Sequence, residues 1–336
     1  MRTALRLGLG GSLLALCAGC RGWQSALDPQ GPEARHLRHL IWLFTGVAAL
    51  VWVLVMVVLF VAIRRRCLGS PEPVALTPPA ERRATFAVGV ASVATVIVLA
   101  LLTAVSYRAT GALGQDTEDA VNIRLRGYQW WWEATYLGPL SEATFVTANE
   151  LHIPVGRPVT IDLSSDDVIH SFWVPNLAGK QDLIPGRDNR ITITADHAGT
   201  YRGPCAEFCG LQHAHMSLFV IAEPPAEFDK WRDAQKQPAA APGGDEQQAG
   251  QQIVTGTQCA ACHTIRGTAA KGTVAPDLTH LASRFYLAAG ELPMTRGSLA
   301  AWVADPQTIK PGNNMPQVPL TGDELRAVSA YLASLK

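Results

Sequence analysis

From Leu40 to Ile63 every residue except Thr45 is apolar or glycine, and none is charged. As a helix this run is long enough to cross a bilayer core of about 30 Å, where a backbone must satisfy its own hydrogen bonds. A second uncharged run, Ala84 to Val105, meets the same test. Between them stand Arg64, Arg65, Arg66, Arg82 and Arg83 against Glu72 and Glu81, in a proline-rich connection too short to be a domain. Arginine marks the cytoplasmic side, so the pattern predicts a transmembrane hairpin over residues 37–106, with helices at about 38–63 and 84–106 and both outer ends on the opposite face. Buried helices of a large soluble core are the competing reading, and the arginine asymmetry argues against it. Residues 1–20 combine an early Arg2 and Arg6, an apolar stretch and the small-residue ending Leu16-Cys-Ala-Gly-Cys20, as a secretory signal does. Cleavage before Cys20 leaves a lipidated terminus of lipoprotein type, although Cys17 stands where a lipobox usually has Leu.

Acidic and basic residues balance at 28 each, which gives no reason to expect a nucleic-acid partner. The seven cysteines say more. Apart from Cys67, beside the basic run and expected to be inert, they fall in pairs: Cys17 and Cys20, Cys205 and Cys209, Cys259 and Cys262. Paired spacing of this kind reads as prosthetic-group attachment and not as a disulfide framework.

The stretch Cys205-Ala-Glu-Phe-Cys-Gly-Leu-Gln-His-Ala-His-Met216 sets two thiols, two imidazoles, a carboxylate and a thioether in one loop. Thiolate and thioether ligands select soft metals, and adding imidazole leaves copper and zinc. Zinc closes tetrahedrally on cysteine and histidine and has no use for Met216, whereas copper does. A disulfide between Cys205 and Cys209 is the bland alternative; it makes the neighbouring His213 and Met216 coincidental. One further ligand is expected from elsewhere, and Asp167-Val-Ile-His170 offers His170 after an apolar run.

Around this loop the chain reads as short strands. Val121-Asn-Ile-Arg-Leu-Arg alternates apolar with polar and leads into Gly127-Tyr-Gln-Trp-Trp-Trp-Glu133. Three adjacent tryptophans cannot share one core: in a strand Trp130 and Trp132 point one way and Trp131 the other, so one aromatic face is left exposed or meets a partner. Strands are also expected at Glu150–Pro154, Pro158–Ser164, Arg190–Ala195 and Met216–Glu223. His152, His197 and His215 match no ligand position and are expected as surface or strand histidines.

Residues 233–248 are rich in Gln, Ala, Pro and Gly without apolar periodicity, and read as a linker. Beyond it, Cys259-Ala-Ala-Cys-His263 is the signature of covalent c-type haem attachment: two thiols form thioethers, and the adjacent His263 reaches the iron. A thioredoxin-like use of C-x-x-C has no need of that histidine. The sixth ligand is to be sought among His280, Met294 and Met315.

These motifs together carry a resemblance. His170 followed by C-x-E-x-C-x3-H-x2-M resembles the dinuclear copper A site of cytochrome c oxidase subunit II, and Asn-Asn-Met315-Pro before an amphipathic segment resembles the methionine loop of class I cytochromes c. The whole chain is similar to a caa-type subunit II, in which the cytochrome is fused to the copper subunit. The resemblance implies a membrane α-helical hairpin, an all-β cupredoxin-like Greek-key sandwich over 107–232 and an all-α class I cytochrome c domain over 249–336. It implies that Cys205 and Cys209 bridge two coppers, with His170, His213, Met216 and the backbone carbonyl of Glu207 completing the shells, and that Trp130 is where electrons enter. The haem c is then held by Cys259 and Cys262, with His263 and Met315 on its iron. It also implies a magnesium site using Glu207, with Asp167 a weaker candidate, and an interface with the catalytic subunit near Asp182 and Arg187. Partners follow in the same way: subunits I and III, and an upstream donor such as a bc complex or a small cytochrome c, at a bacterial inner membrane. The family often places an acid before the second helix and Trp and Pro within it; here only Glu81 is present. Rival readings are a copper A component of a nitric oxide or nitrous oxide reductase, a quinol oxidase subunit that has lost the copper, and a copper-delivery or sensor protein with a single labile metal.

Overall fold

The protein is described by a computed structural model that covers residues 22–67, 77–111, 120–138 and 144–336. The predicted signal segment with Cys17 and Cys20, and Glu72 of the arginine-rich connection, lie outside the described residues. The chain divides into two units, one made of residues 36–113 and the other of the remainder.

The first unit holds two long helices, α1 (Pro32–Cys67), apart from its first four residues, and α2 (Pro78–Gly111). Both exceed the spans expected from the apolar runs. Helix α1 begins at Pro32, where a proline suits a helix start, and continues through Arg64, Arg65 and Arg66; α2 takes in Glu81, Arg82 and Arg83. Charged ends stay helical because a helix bonds its own backbone on either side of a membrane boundary, so apolarity marks the membrane span and not the helix ends. Trp52, Leu54 and Phe60 are each more than half exposed, and such a helix, apolar all round and uncovered, requires hydrocarbon as its solvent.

The second unit begins with a strap. Its residues lie on the β domain through Asn176, whose side chain donates to the carbonyls of Gly22, Ser25 and Asp28 and whose own carbonyl accepts from Gln30 N. The β domain has one five-stranded sheet in the order β3 (Phe145–Ala148), β2 (Trp131–Tyr136), β1 (Val121–Tyr128), β5 (Val159–Ser165) and β8 (Asn189–Ile193). A three-stranded sheet is ordered β4 (Glu150–Pro154), β10 (Ser217–Glu223) and β9 (Gly199–Pro204), and a hairpin joins β6 (His170–Phe172) to β7 (Gln181–Leu183). Strand β1 shows why the sheet forms: Ile123 and Leu125 are buried, while Asn122 and Arg124 between them are exposed. With Trp132, Ile161, Leu163, Phe172, Leu218 and Val220 they build one core, each large side chain contributing about 1.5–3 kcal/mol.

Strand β10 departs from alternation and is buried almost throughout. Its outer face is covered by the C-terminal helical domain, in which Tyr286 stacks on Phe219 with ring centroids 4.3 Å apart. That domain follows α3 (Pro225–Gln235) and comprises α4 (Asp245–Gly256), the short α5 (Cys259–Cys262), a two-residue hairpin of β11 (Tyr286–Leu287) and β12 (Leu292–Pro293), α6 (Arg296–Ala304), α7 (Pro306–Ile309) and α8 (Gly322–Leu332). The stretch expected as a linker over 233–248 is thereby narrowed to the coil 236–244, because α3 runs to Gln235 and α4 opens at Asp245. Asp245 and Glu246 sit in that first turn, where negative charge suits the helix dipole.

Helices α4 and α8 cross at Gly250, where a Cβ atom would fall 2.1 Å from the carbonyl oxygen of Ala327. Replacing a helical glycine by alanine ordinarily gains about 1 kcal/mol. Here the clash with backbone outweighs that gain, and Gly250→Ala is expected to destabilise the helical domain by about 1–3 kcal/mol, read as a lower midpoint in thermal unfolding followed by circular dichroism.

The hairpin β11–β12 also meets a buried carboxylate of the β domain. Glu150, 2% exposed, accepts from Phe285 N at 2.7 Å and Tyr286 N at 3.2 Å. Burial pushes its carboxyl up from 4.5 to about 7, against the pull of those amides and of Arg284. The folded state therefore binds this proton more tightly than the unfolded one. The resulting stabilisation is complete below about pH 4.5 and is lost as the pH rises through 7, a swing of about 3 kcal/mol. Wild type should lose stability between pH 5 and pH 8 relative to Glu150→Gln, which has no proton to release; parallel denaturant curves for the two would show the prediction wrong.

Candidate functional site

The loop Cys205–Met216 leaves β9 and enters β10, and the antiparallel pairing of those strands closes it at the base: Cys205 N donates to Met216 O at 2.8 Å. Ala206 N donates to Ser171 O at 3.0 Å and so ties the loop to β6, which carries His170. At the far end Gly210 takes a left-handed φ of 109°, and a short 3-10 turn, His213–His215, folds the imidazole of His213 back.

The donors converge as a result. The sulfurs of Cys205 and Cys209 are 3.8 Å apart and unbonded, so the disulfide alternative is not adopted. His170 Nδ1 lies 4.0 Å from Cys205 Sγ, while His213 Nδ1 and Met216 Sδ lie 3.7 Å and 3.8 Å from Cys209 Sγ. The carbonyl oxygen of Glu207 is 3.2 Å from Cys205 Sγ. Two donors on one tetrahedral ion with bonds of 2.0–2.3 Å are separated by about 3.6 Å, so the set fits shared metal ligation. Met216 Sδ belongs to it, which favours copper over zinc.

Burial and hydrogen bonding tune these groups. The Cys209 thiol, reinforced by His170, pulls the Cys205 thiol well below its usual value, and the second thiol is driven up for the reciprocal reason. One of the pair thus ionises readily, and a cation is needed to ionise both. Burial alone depresses the His170 imidazole, but its bonds to Cys205 and Asp167 outweigh that and raise it. His170 Nε2 faces Asp167 Oδ1 at 2.9 Å, which leaves Nδ1 turned to the sulfurs. Asp167 also accepts from the amides of Gln129 and Val168, both at 2.6 Å, and these bonds with His170 hold its carboxyl low despite burial. Oδ1 orients His170 while Oδ2 holds Gln129 N, a positioning role that sequence reasoning missed although the spacing Asp-x-x-His could have signalled it. Gly127 gives the ring room, since a Cβ there would sit 2.8 Å from His170 Cδ2.

The three tryptophans separate as their crowding required. Trp132 is in the core, Trp131 stacks on Tyr128 at 4.7 Å, and Trp130 lies in the turn between β1 and β2. Trp130 Nε1 donates to Cys209 O at 2.9 Å, and a Cβ on Gly312 of the helical domain would be 3.7 Å from its ring. Trp130 thus joins the core of the β domain and also lies beside the helical domain of the same chain. Asp182 lies in β7, half-buried, and Arg187 in an exposed turn; the side chain of Glu207 is exposed with Lys180 Nζ at 3.4 Å. His197 is exposed. His152 is buried against Trp231, and His215 pairs with Glu291 of the helical domain at 2.8 Å, a contact the sequence did not signal.

In the helical domain Cys259 and Cys262 are unpaired, half-buried thiols on α5. His263 Nδ1 bonds to Pro276 O at 2.7 Å, which leaves Nε2 for a metal, and burial pushes the imidazole below its usual value, toward the neutral form a ligand needs. Of the sixth-ligand candidates, His280 has both ring nitrogens against carbonyls, of Lys336 and Gln237. Met294 and Met315 both rest on the domain's apolar cluster. Two thiols, one free imidazole nitrogen and a thioether are the donor set a c-type haem requires.

Fold and donors thus define a cupredoxin-like copper domain joined to a cytochrome c domain behind two apolar helices. The family model "Cytochrome C oxidase subunit II, periplasmic domain" matches residues 137–223, and "Cytochrome c" matches 247–336. Cytochrome c oxidase subunit 2 of Alkalihalophilus pseudofirmus is 33% identical over 96% of this chain and 95% of that protein. Its counterpart in Bacillus subtilis is 32% identical over 66% of this chain and 64% of that protein, and quinol oxidase subunit 2 of Bacillus cereus is 30% identical over 66% and 76%. A solved structure, the periplasmic domain of subunit II of cytochrome oxidase of Bradyrhizobium japonicum, is 28% identical over 36% of this chain and 97% of that one, with a TM-score of 0.34. The chain belongs to the cytochrome c oxidase subunit II family, in the caa-type arrangement with its own cytochrome c domain. It is a membrane protein whose copper domain lies outside the membrane.

Asp167 makes a direct prediction. Asp167→Ala frees the His170 ring and should weaken copper retention about 10–100-fold, measured by competition with a chelator, with the haem spectrum unchanged.

Proposed function

We propose that this chain passes electrons from its own haem c, through a dinuclear copper A centre, to haem a of subunit I of a respiratory haem-copper oxidase, where oxygen is reduced to water. The observation that carries the reading is the pair of unbonded sulfurs 3.8 Å apart with an imidazole nitrogen flanking each. In this reading Cys205, Cys209, His170, His213, Met216 and the Glu207 carbonyl would hold the copper, with the two thiolates shared between the ions. Cys259 and Cys262 carry the haem by thioethers, with His263 and Met315 on the iron. When bound, these groups supply one-electron redox chemistry. The chain's own work is positional: Asp167 fixes one imidazole, the loop base fixes both sulfurs, and burial keeps water out. Trp130, bonded to the Cys209 carbonyl and touching the loop that leads to Met315, is the group we assign to electron passage between the two centres.

We extend the reading to a copper domain over 107–232, a haem domain over 249–336 and two membrane spans in a bacterial inner membrane, with the redox domains on the periplasmic or outer face. Subunits I and III are the proposed neighbours, a bc complex or small cytochrome c the donor, and the exposed Glu207 carboxylate a contributor to a magnesium site shared with subunit I. Quinol oxidase is disfavoured, since the chain keeps both copper thiols and a haem motif.

Metal analysis of the purified full chain tests this. Two coppers and one covalently bound iron per chain are expected, with a paramagnetic resonance signal split by two equivalent copper nuclei. Cys209→Ser should abolish that signal and leave the haem spectrum intact. A single exchangeable copper without covalent haem sinks the reading.

A further inference from the structure

Lys310 follows α7 in the helical domain and is 2% exposed. Its ammonium donates three hydrogen bonds: to Ala288 O of its own domain at 2.8 Å, and to Trp130 O and His215 O of the copper domain at 2.9 Å and 2.7 Å. A neutral amine has only two N–H groups, so three carbonyl acceptors call for the charged form. An ammonium buried this way is costly unless every donor is met, and these three acceptors converge only where the two domains are in register.

The surrounding contacts are built to the same register. Next to Lys310, Pro311 O accepts from Gln212 Nε2 at 2.8 Å, and Gly312 lies against Leu211 and Trp130. Ala288 and Ala289, neither of them glycine, hold left-handed φ angles of 53° and 62°. They turn one carbonyl to Lys310 and the other to Ser217 N, which donates at 2.9 Å. A left-handed alanine carries a steric cost, so two in succession mark a turn held by what it meets. The seam is pinned from the other side by Glu150, a copper-domain carboxylate buried on the amides of Phe285 and Tyr286. Each domain thus sends one buried ionisable side chain to backbone partners on the other.

We propose that Lys310 is a positioning residue that latches the haem domain onto the copper domain in one fixed docking, so that electron passage past Trp130 requires no domain movement. The proposal rests on the reading that residues 249–336 deliver electrons to the copper pair. The latch acts on Trp130 through its carbonyl and on the copper loop through that of His215, one residue before Met216.

The test uses the full-length, copper- and haem-loaded oxidase and compares wild type with Lys310→Met, which keeps the side chain's bulk and removes its donors. Amide hydrogen exchange is read at Ser217, Phe285 and Tyr286, whose N–H groups are bonded across the seam, and at Val220 inside β10 as an internal control. Lys310→Met should speed exchange at the three seam amides about ten-fold or more and leave Val220 unchanged. Light-triggered electron injection into the haem gives the second readout. Haem-to-copper transfer should be independent of solvent viscosity in wild type, and in the variant about ten-fold slower and viscosity-dependent, as for a domain that must find its seat. If Lys310→Met does not accumulate, Lys310→Gln, which keeps two donors, should show the same changes in smaller degree. Unchanged seam exchange in the variant, or viscosity-dependent transfer in wild type, overturns the latch. Optical and paramagnetic resonance spectra of wild type report haem and copper separately: a missing centre there tells against the functional reading, whereas intact centres with unchanged exchange tell against Lys310 alone.

Discussion

Two thiols held 3.8 Å apart without joining is the constraint on which the rest of the copper domain depends. A disulfide needs its sulfurs at about 2.05 Å, and in an oxidising compartment it is the ordinary fate of neighbouring cysteines. The loop resists by geometry: the Cys205–Met216 backbone bond fixes one end, Gly210 turns the other, and the 3-10 turn pulls His213 toward Cys209. It also resists by electrostatics. Removing the first proton is easy because the second thiol donates to the thiolate, but removing the second places two buried negative charges side by side. Only a cation relieves that repulsion, so the site stores a demand for metal in the difficulty of its second ionisation.

The same logic explains which residues were legible beforehand. Cys205, Cys209, His213 and Met216 fall within twelve residues, and Cys259, Cys262 and His263 within five, so chain connectivity alone keeps each set together and the chemistry can be read from spacing. Asp167 was visible as a carboxylate near the site, but its bond to His170 was not read from the spacing, although a carboxylate three residues before a ligand is well placed to make one. The strands of the β domain followed from alternation wherever one face meets water. Strand β10 lies where it was expected, but its burial on both faces was not signalled, because the face opposite the core is covered by Tyr286, a residue far along the chain with no local mark of that role.

Lys310 is the clearest case of what spacing cannot reveal. It precedes a Pro-Gly pair, and its partners Trp130 and His215 are 180 and 95 residues away. No local period encodes such a contact. The linker was misjudged for a related reason: Asp245 to Gln248 are polar, but a helix whose apolar face is set by later residues can begin in a polar turn. Just beyond that stretch, Gly250 lets α4 pack closely against the backbone of α8.

The seam raises the question of why two domains already joined by a short coil should bury charges against each other. A flexible stretch of the length of residues 236–244 has a root-mean-square span of about 15–18 Å, and such a tether alone gives an effective concentration in the millimolar range. Association therefore needs little further help. Orientation is another matter, because apolar surfaces such as Phe219 and Tyr286 tolerate sliding with small loss of contact. An ammonium with three converging acceptors does not: any shift that breaks one bond leaves charge unmatched in a dry seam, at a cost of about 1–3 kcal/mol or more per lost partner. Stacked rings supply adhesion and the buried ammonium supplies register, so the seam can be weak in total and still admit a single arrangement. That division of labour suits a contact whose use lies in the spacing of two redox centres and not in holding two proteins together.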